Sequence, residues 1–294
     1  MFSQTKQLVP VLNAQCQQQR GMANLKIIGM RLKSVRNIQK ITQSMKMVSA
    51  AKFARAERDL RAARPLGSAA KSFYDHAEVS TNKEAPKELY VAMTSDRGLA
   101  GAVHSSINKA IRNELNEKAS LENVKVICVG DKSRGFFQKF FPENILMVGS
   151  EIGRLPPQFG DASKVANAVL SSGFEFDSGK MFYNRYNSVV SYTTTEIPIF
   201  SQDSVANSAK ITLYDSIDSD VLQSYIEYSL ASLFYYVMKE GACSEQSSRM
   251  TAMDNSTKNA GEMIDKLQTT FNRTRQAVIT GELIEIISGA AALD

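Results

Sequence analysis

Residues arranged as if for chemistry are sparse in this 294-residue chain. The most suggestive run is Thr94-Ser95-Asp96-Arg97-Gly98-Leu99-Ala100-Gly101. It follows the strand-like segment Glu88-Leu89-Tyr90-Val91-Ala92-Met93-Thr94 and precedes an amphipathic segment from Val103. A glycine-bearing turn between a strand and a helix is where an α/β sheet binds phosphate, because free backbone N–H groups and the helix dipole favour an anion. The run is neither a Walker sequence nor G-x-G-x-x-G, and no acid about 20 residues on is plausibly placed to hold a ribose. It reads first as a tight turn whose glycines free the backbone, and second as a nucleotide-binding module. Val129-Gly130-Asp131-Lys132 takes the same place after a second strand and reads the same way.

Cys16, Cys128 and Cys243 have no metal-ligand spacing, and His76 and His104 lie far from any Cys cluster. No Ser-His-Asp, Cys-His or paired-carboxylate grouping stands out. The expectation is a protein with no catalytic residue, no cofactor and no metal. Function must then come from partners, and the question passes to the elements that would meet them.

From Met250 the residues Met253, Thr257, Ala260, Ile264, Leu267, Phe271, Thr274 and Val278 follow at alternating gaps of three and four. That is the seam of a helix wound on another helix. The seam is thin, with Thr and Ala among the large residues. Near the other end, Ile28, Leu32, Val35, Ile38, Ile41, Met45 and Val48 also fall on a helical face. Asn24 can cap this helix, and Pro65-Leu66-Gly67 should end or kink it. At ~1.5 Å per residue a 40-residue helix is ~60 Å long, too long for an ordinary globular domain.

Charge singles out the same helix. Between Asn24 and Arg64 eleven bases face only Glu57 and Asp59, whereas residues 65–294 are net −6 in a chain of net +5. A basic stripe on an acidic protein seeks an acidic partner. The stripe has Phe53 as its one aromatic, so it lacks the interleaved rings of a nucleic-acid surface. No run approaches the ~18 apolar residues of a membrane span.

Between the helices, strands are expected at 88–94, 124–130, 144–148, 180–186, 189–194 and 211–214. Helices are expected at 103–119, 131–140 and 162–172. That alternation implies a mainly parallel sheet with one or two antiparallel edge strands. Asp218 and Asp220 suit the start of the last helix. Gly241 and Gly281 are its expected bending points. The expected fold class is α/β: a long antiparallel two-helix coiled coil made by the N- and C-terminal helices, with a central mainly parallel, Rossmann-like α/β domain. Residues 1–22 hold Lys6 and Arg20 and no acid, which fits an organelle transit peptide. The domains are then 1–22, a first coiled-coil helix at 23–77, the α/β domain at 87–215 and a second helix at 218–294.

Four stretches resemble the gamma-subunit family of F-type ATP synthases. They are Arg31–Lys52 (RLKSVRNIQKITQSMKMVSAAK), Ser95–Gly101, Glu245–Asn255 and Phe271–Gly289. The resemblance spans about Ala23 to Asp294, and the leader and Ala-rich end are similar to the mitochondrial animal form. It implies the non-catalytic rotor of a proton-driven ATP synthase, turning inside a hexamer of alpha and beta subunits. Its α/β domain would form a foot, held with delta and epsilon subunits on the membrane c-ring. Rotation would drive the catalytic beta subunits through their states and make ATP from ADP and phosphate.

By the same resemblance, Arg275 and Gln276 match a pair that hydrogen-bonds a catch loop of a beta subunit. Lys33, Arg36, Lys40, Met45 and Lys46 would pass acidic levers of beta, and Ile286, Ile287 and Leu293 would form an apolar bearing tip. The expected location is the mitochondrial inner membrane, peripheral on the matrix side, with no nucleic acid bound. Ala100 departs from the family, many of whose members carry Cys there. The competing reading is a basic coiled-coil scaffold for nucleic acid or a membrane surface.

Overall fold

The computed structural model describes the backbone of residues 5–79, 87–118, 120–208, 210–211, 214 and 218–292, with side chains from residue 24 onward. In chain order the elements are α1 (Thr5–His76), β1 (Glu88–Met93), α2 (Val103–Glu117), β2 (Val124–Val129), α3 (Asp131–Phe140), β3 (Ile145–Gly149), α4 (Phe159–Leu170), β4 (Ser178–Ser188), β5 (Ser191–Phe200), α5 (Gln202–Ala206) and α6 (Ser219–Ala291). The chain divides into two units, one of residues 46–252 and one of residues 1–45 with 253–294.

The larger unit is built on a five-stranded sheet of order β3-β2-β1-β4-β5, parallel except for the β4–β5 hairpin. Strand β1 is buried on both faces, as a central parallel strand must be. Its alternate residues explain the layers. Tyr90 and Ala92 pack with Ile107, Ile111 and Leu115 of α2 and Phe137 of α3. Leu89, Val91 and Met93 pack with Ala162 and Ala166 of α4, and with Leu230, Phe234 and Val237 of α6. The last helix of the chain therefore supplies half of one covering layer. Fully burying Phe234 alone contributes ~1.5–3 kcal/mol.

The smaller unit is a helix pair. Leu32 and Val35 of α1 are buried, and the seam continues through half-buried Gln39 and buried Thr42. All nine seam positions expected on α6, Met250 to Val278, are buried or half-buried. The pairing is antiparallel: Gly29 lies by Phe271, Arg36 Nη2 donates to Gln268 Oε1 at 3.0 Å, and the Thr42 and Thr257 hydroxyls bond at 2.8 Å. Small and hydroxylated residues let the two backbones come close, which accounts for the thin seam.

Three expectations fail locally. Helix α1 begins at Thr5, so Asn24 is inside it and caps nothing. Pro65 does not interrupt α1, which runs on to His76 in keeping with the expected bound at 77, although the ring removes one backbone donor. Ile38, Ile41 and Val48 are exposed, because the buried stripe follows Gln39, Thr42 and Ser49 instead. Of the strand expected at 211–214, Ile211 is 3-10 helical and Tyr214 lies in a bend, and 212–213 lie outside the described residues. Helix α6 passes unbroken through Gly241 and Gly281.

Two helical glycines should answer oppositely to alanine. A Cβ on Gly67 would sit 2.4 Å from Cγ of the Tyr236 ring, whereas one on Gly241 meets nothing within 4 Å. Gly67→Ala should destabilise the full chain by ~1–3 kcal/mol through overpacking. Gly241→Ala should stabilise it by up to ~1 kcal/mol. Urea midpoints measure both, and shifts of the same sign would refute this packing.

Candidate interaction surfaces and a locked loop

Strand order reverses between β1 and β4, where an open α/β sheet binds its ligand beyond the strand C-termini. Here that crevice is filled from within. Met93, Ser95 and Asn184 line it on the sheet side, and Val237, Met238, Gly241 and Glu245 close it from α6. About 40 Å³ remains, little more than the ~30 Å³ share of one water.

The loop Ser95–Gly101 is also committed. Asp96 Oδ1 accepts the Asp131 N–H at 2.8 Å, so a carboxylate of the chain itself takes the N-terminus of α3. Gly130 has φ +104°, and a Cβ there would lie 2.7 Å from the Ser95 nitrogen. Ser248 Oγ donates to the Ala100 carbonyl at 2.6 Å. The Arg249 guanidinium reaches the Gly98 carbonyl at 3.3–3.4 Å. Arg249 also ion-pairs with Glu245 one turn earlier, and both are buried. The motif Glu245–Asn255 thus pins the motif Ser95–Gly101 by its carbonyls, Asp96 takes the N-terminus of α3, and the crevice beside the loop is filled. The nucleotide-module reading fails on this geometry.

A second buried carboxylate was not expected. Glu240 has 0% exposure. It accepts from Arg64 Nε at 3.0 Å, the Tyr236 hydroxyl at 3.1 Å and the Tyr186 backbone N–H at 2.9 Å. Arg64 also donates to the Tyr186 carbonyl at 2.8 Å. The hydrogen bond to Glu240 raises the Arg64 pKa above its ordinary value. The sequence offered one clue: Lys239, Glu240, Glu245 and Arg249 interrupt the otherwise uncharged stretch from Tyr228 to Met253.

Burial pushes the Cys128 thiol up to about 11 and the Cys243 thiol up to about 12, so both are protonated and inert near neutrality. Among the described residues no group of three His, Cys, Asp or Glu could hold a metal, and no helix is long and apolar enough to cross a membrane.

The residues expected to meet partners separate into outward and inward sets. Lys33 and Lys40 are exposed on α1, and exposed Arg36 is tethered across the seam to Gln268. Met45 and Lys46 are half-buried. Arg275 and Gln276 are both exposed on α6, beside the half-buried seam residue Thr274. Ile286 and Ile287 are 67% and 66% exposed. Leu293 lies outside the described residues.

His104 provides a pH test of the locked loop. Its Nε2 lies 3.3 Å from Ser95 Oγ and 3.1 Å from the Arg97 carbonyl. Burial lowers its pKa below the ordinary 6.5, against the pull of Glu245. The folded chain therefore binds this proton less readily than the unfolded chain, and stability should fall as pH drops below 6.5. His104→Gln should flatten that part of the decline when urea midpoints are compared at about pH 7.5 and about pH 5.5. An unchanged slope would contradict the assignment.

Residues 24–293 match the family described as ATP synthase. The chain is 62% identical over 297 residues to "ATP synthase subunit gamma, mitochondrial" of Drosophila melanogaster, covering 100% of this chain and 99% of that protein. It is 52% identical over 273 residues to "ATP synthase F(1) complex subunit gamma, mitochondrial" of Rattus norvegicus, covering 92% and 100%. Among solved structures, a chain of the Tetrahymena thermophila mitochondrial ATP synthase central stalk and c-ring matches with TM-score 0.63 and 26% identity, over 73% of this chain and 98% of that one. A chain of the Euglena gracilis mitochondrial enzyme shares the fold with TM-score 0.76 at 17% identity, covering 92% of this chain and 95% of that one. None of these relatives is a nucleic-acid or membrane scaffold, and that alternative is left without support. The chain belongs to the gamma-subunit family of the ATP synthases.

Proposed function

We propose that this chain is the central rotor of a mitochondrial, proton-driven ATP synthase and performs no catalysis itself. The observation that carries the reading is the helix pair, whose contacts are all spent on its own thin seam. Its outward faces, with Lys33, Lys40, Arg275 and Gln276 exposed, are left for partners. A rotor can shift three catalytic sites through different states only if its surface makes different contacts with each. On α1, Lys33, Arg36, Lys40 and Lys46 suit acidic levers of the beta subunits, Arg36 sharing its guanidinium with Gln268 and Lys46 and Met45 lying at the margin of the seam. Arg275 and Gln276 are the hydrogen-bonding pair for a beta catch loop.

Ile286 and Ile287, with Leu293, form the apolar tip. Such a tip suits a bearing, because turning in an apolar sleeve breaks no strong directional bonds. The sheet unit is the foot, held with delta and epsilon subunits on the c-ring. Residues 1–22 are the transit segment, and the mature chain works on the matrix side of the inner membrane, peripheral to it.

The purified full chain should show no ATP turnover, and adding it to alpha and beta subunits should raise theirs strongly. Turnover by the chain alone would overturn the reading. Arg275→Ala should lower ATP synthesis by about tenfold, the worth of one charge-assisted hydrogen bond, with assembly intact. Impaired assembly with normal turnover per assembled complex would remove Arg275 from this role.

A further inference from the structure

A cleft of about 250 Å³ opens in the sheet unit between α1, α6 and the loop at residues 153–157. At ~30 Å³ per water it holds roughly eight waters, too little for a helix or strand of a partner and enough for a small molecule. Its walls are preformed. Two prolines, Pro156 and Pro157, stiffen the loop, and the Asp96 N–H donates to the Ile152 carbonyl at 3.0 Å. Gly153 has φ +85°, and a Cβ there would lie 2.7 Å from the Ser95 Cβ, so the loop is seated hard against β1.

The lining sorts by chemistry. Half-buried Ala56, Pro157 and Ala242 supply an apolar wall, Leu155 is a rim residue 81% exposed, and exposed Lys52, Arg55 and Arg154 complete the lining. The two acids of the cleft are already used: Asp59 pairs with Lys239 at 3.0 Å and Glu245 pairs with Arg249. Lys52 and Arg55 have no ion pair among the described residues, whereas Arg154 pairs with Glu151 at 3.7 Å. A pocket with an apolar wall and a few convergent polar groups is the form of a ligand site. The unneutralised cations set the sign of the ligand.

We infer that this cleft binds a small amphipathic anion, a short apolar chain or ring ending in a carboxylate. The carboxylate meets Lys52 and Arg55, and the apolar body lies on Pro157 and Ala242. This site is separate from every surface assigned to the rotor above, and its occupant would be a metabolite-sized regulator or stabiliser of the foot.

The test is photolabelling of the assembled synthase with octanoate carrying a diazirine, with adducts mapped by mass spectrometry. Adducts are expected on residues 153–157 or 239–246. Octanoate should compete at least ~10-fold better than neutral octanamide, the worth of one charge-assisted contact, and inorganic phosphate should not compete. The variant carrying Lys52→Ala with Arg55→Ala should lose labelling by about the same factor. Both side chains are exposed, so the variant should fold, and circular dichroism checks that it does. Absent or differently placed adducts, equal competition by octanamide, or unchanged labelling of the variant would each overturn the inference.

Discussion

Glu240 carries a carboxylate with 0% exposure in the middle of the sheet unit. Removing such a charge from water costs several kcal/mol unless partners replace the lost hydration. The partners come from three elements. Arg64 belongs to α1, Tyr186 to β4, and Tyr236 to the preceding turn of α6. The two ends of a long chain can satisfy this group only by meeting on one side of the sheet. Around it the packing is tight enough that Gly67 must lack a side chain against Tyr236. The helices are thus fixed to the sheet by a constraint that hydrophobic burial alone would not supply, since apolar faces tolerate sliding and a buried carboxylate does not.

The same placement of α6 decides what the α/β unit cannot do. The crevice between β1 and β4 is where this architecture elsewhere receives a ligand. Val237 to Glu245 occupy it, and Ser248 and Arg249 hold the adjoining loop by its carbonyls. A fold that hosts many functions is here turned into a mounting for a helix. Fold likeness to nucleotide-binding sheets would therefore mislead, and the side chains in the crevice settle the matter.

Much of this was legible in the sequence. The alternation of strands and helices gave the sheet, because parallel central strands and amphipathic helices have different periods. The α6 seam was legible to the residue, because Thr257, Ala260 and Thr274 keep the heptad where hydrophobicity alone would not. On α1 the periodicity misled. Ile38 and Ile41 make as good a stripe as the real seam, and only the facing helix selects Gln39 and Thr42. Exposed isoleucines there fit a helix with partners on its outer side. The Ile211 strand failed because a short alternating run does not say whether a neighbouring strand is available. Arg275 and Gln276 came from family resemblance, as nothing in their spacing marks them. Glu240, Glu245 and Arg249 were read past because charged residues in a helix read as a solvated face, and their burial follows from contacts distant in sequence, with Arg64, Tyr186 and Gly98.

If the buried carboxylate is the constraint proposed, Arg64 and Glu240 must act as one unit. A double-mutant cycle in urea unfolding of the full chain, with Arg64→Leu, Glu240→Leu and both together, measures this most directly. Arg64→Leu alone leaves an unpaired buried charge and should cost ~3 kcal/mol or more. The double variant should cost less than the sum of the single losses, with a coupling of ~1–3 kcal/mol. Additive losses would show that Glu240 is held without Arg64 and that this pair does not join the ends of the chain to the sheet.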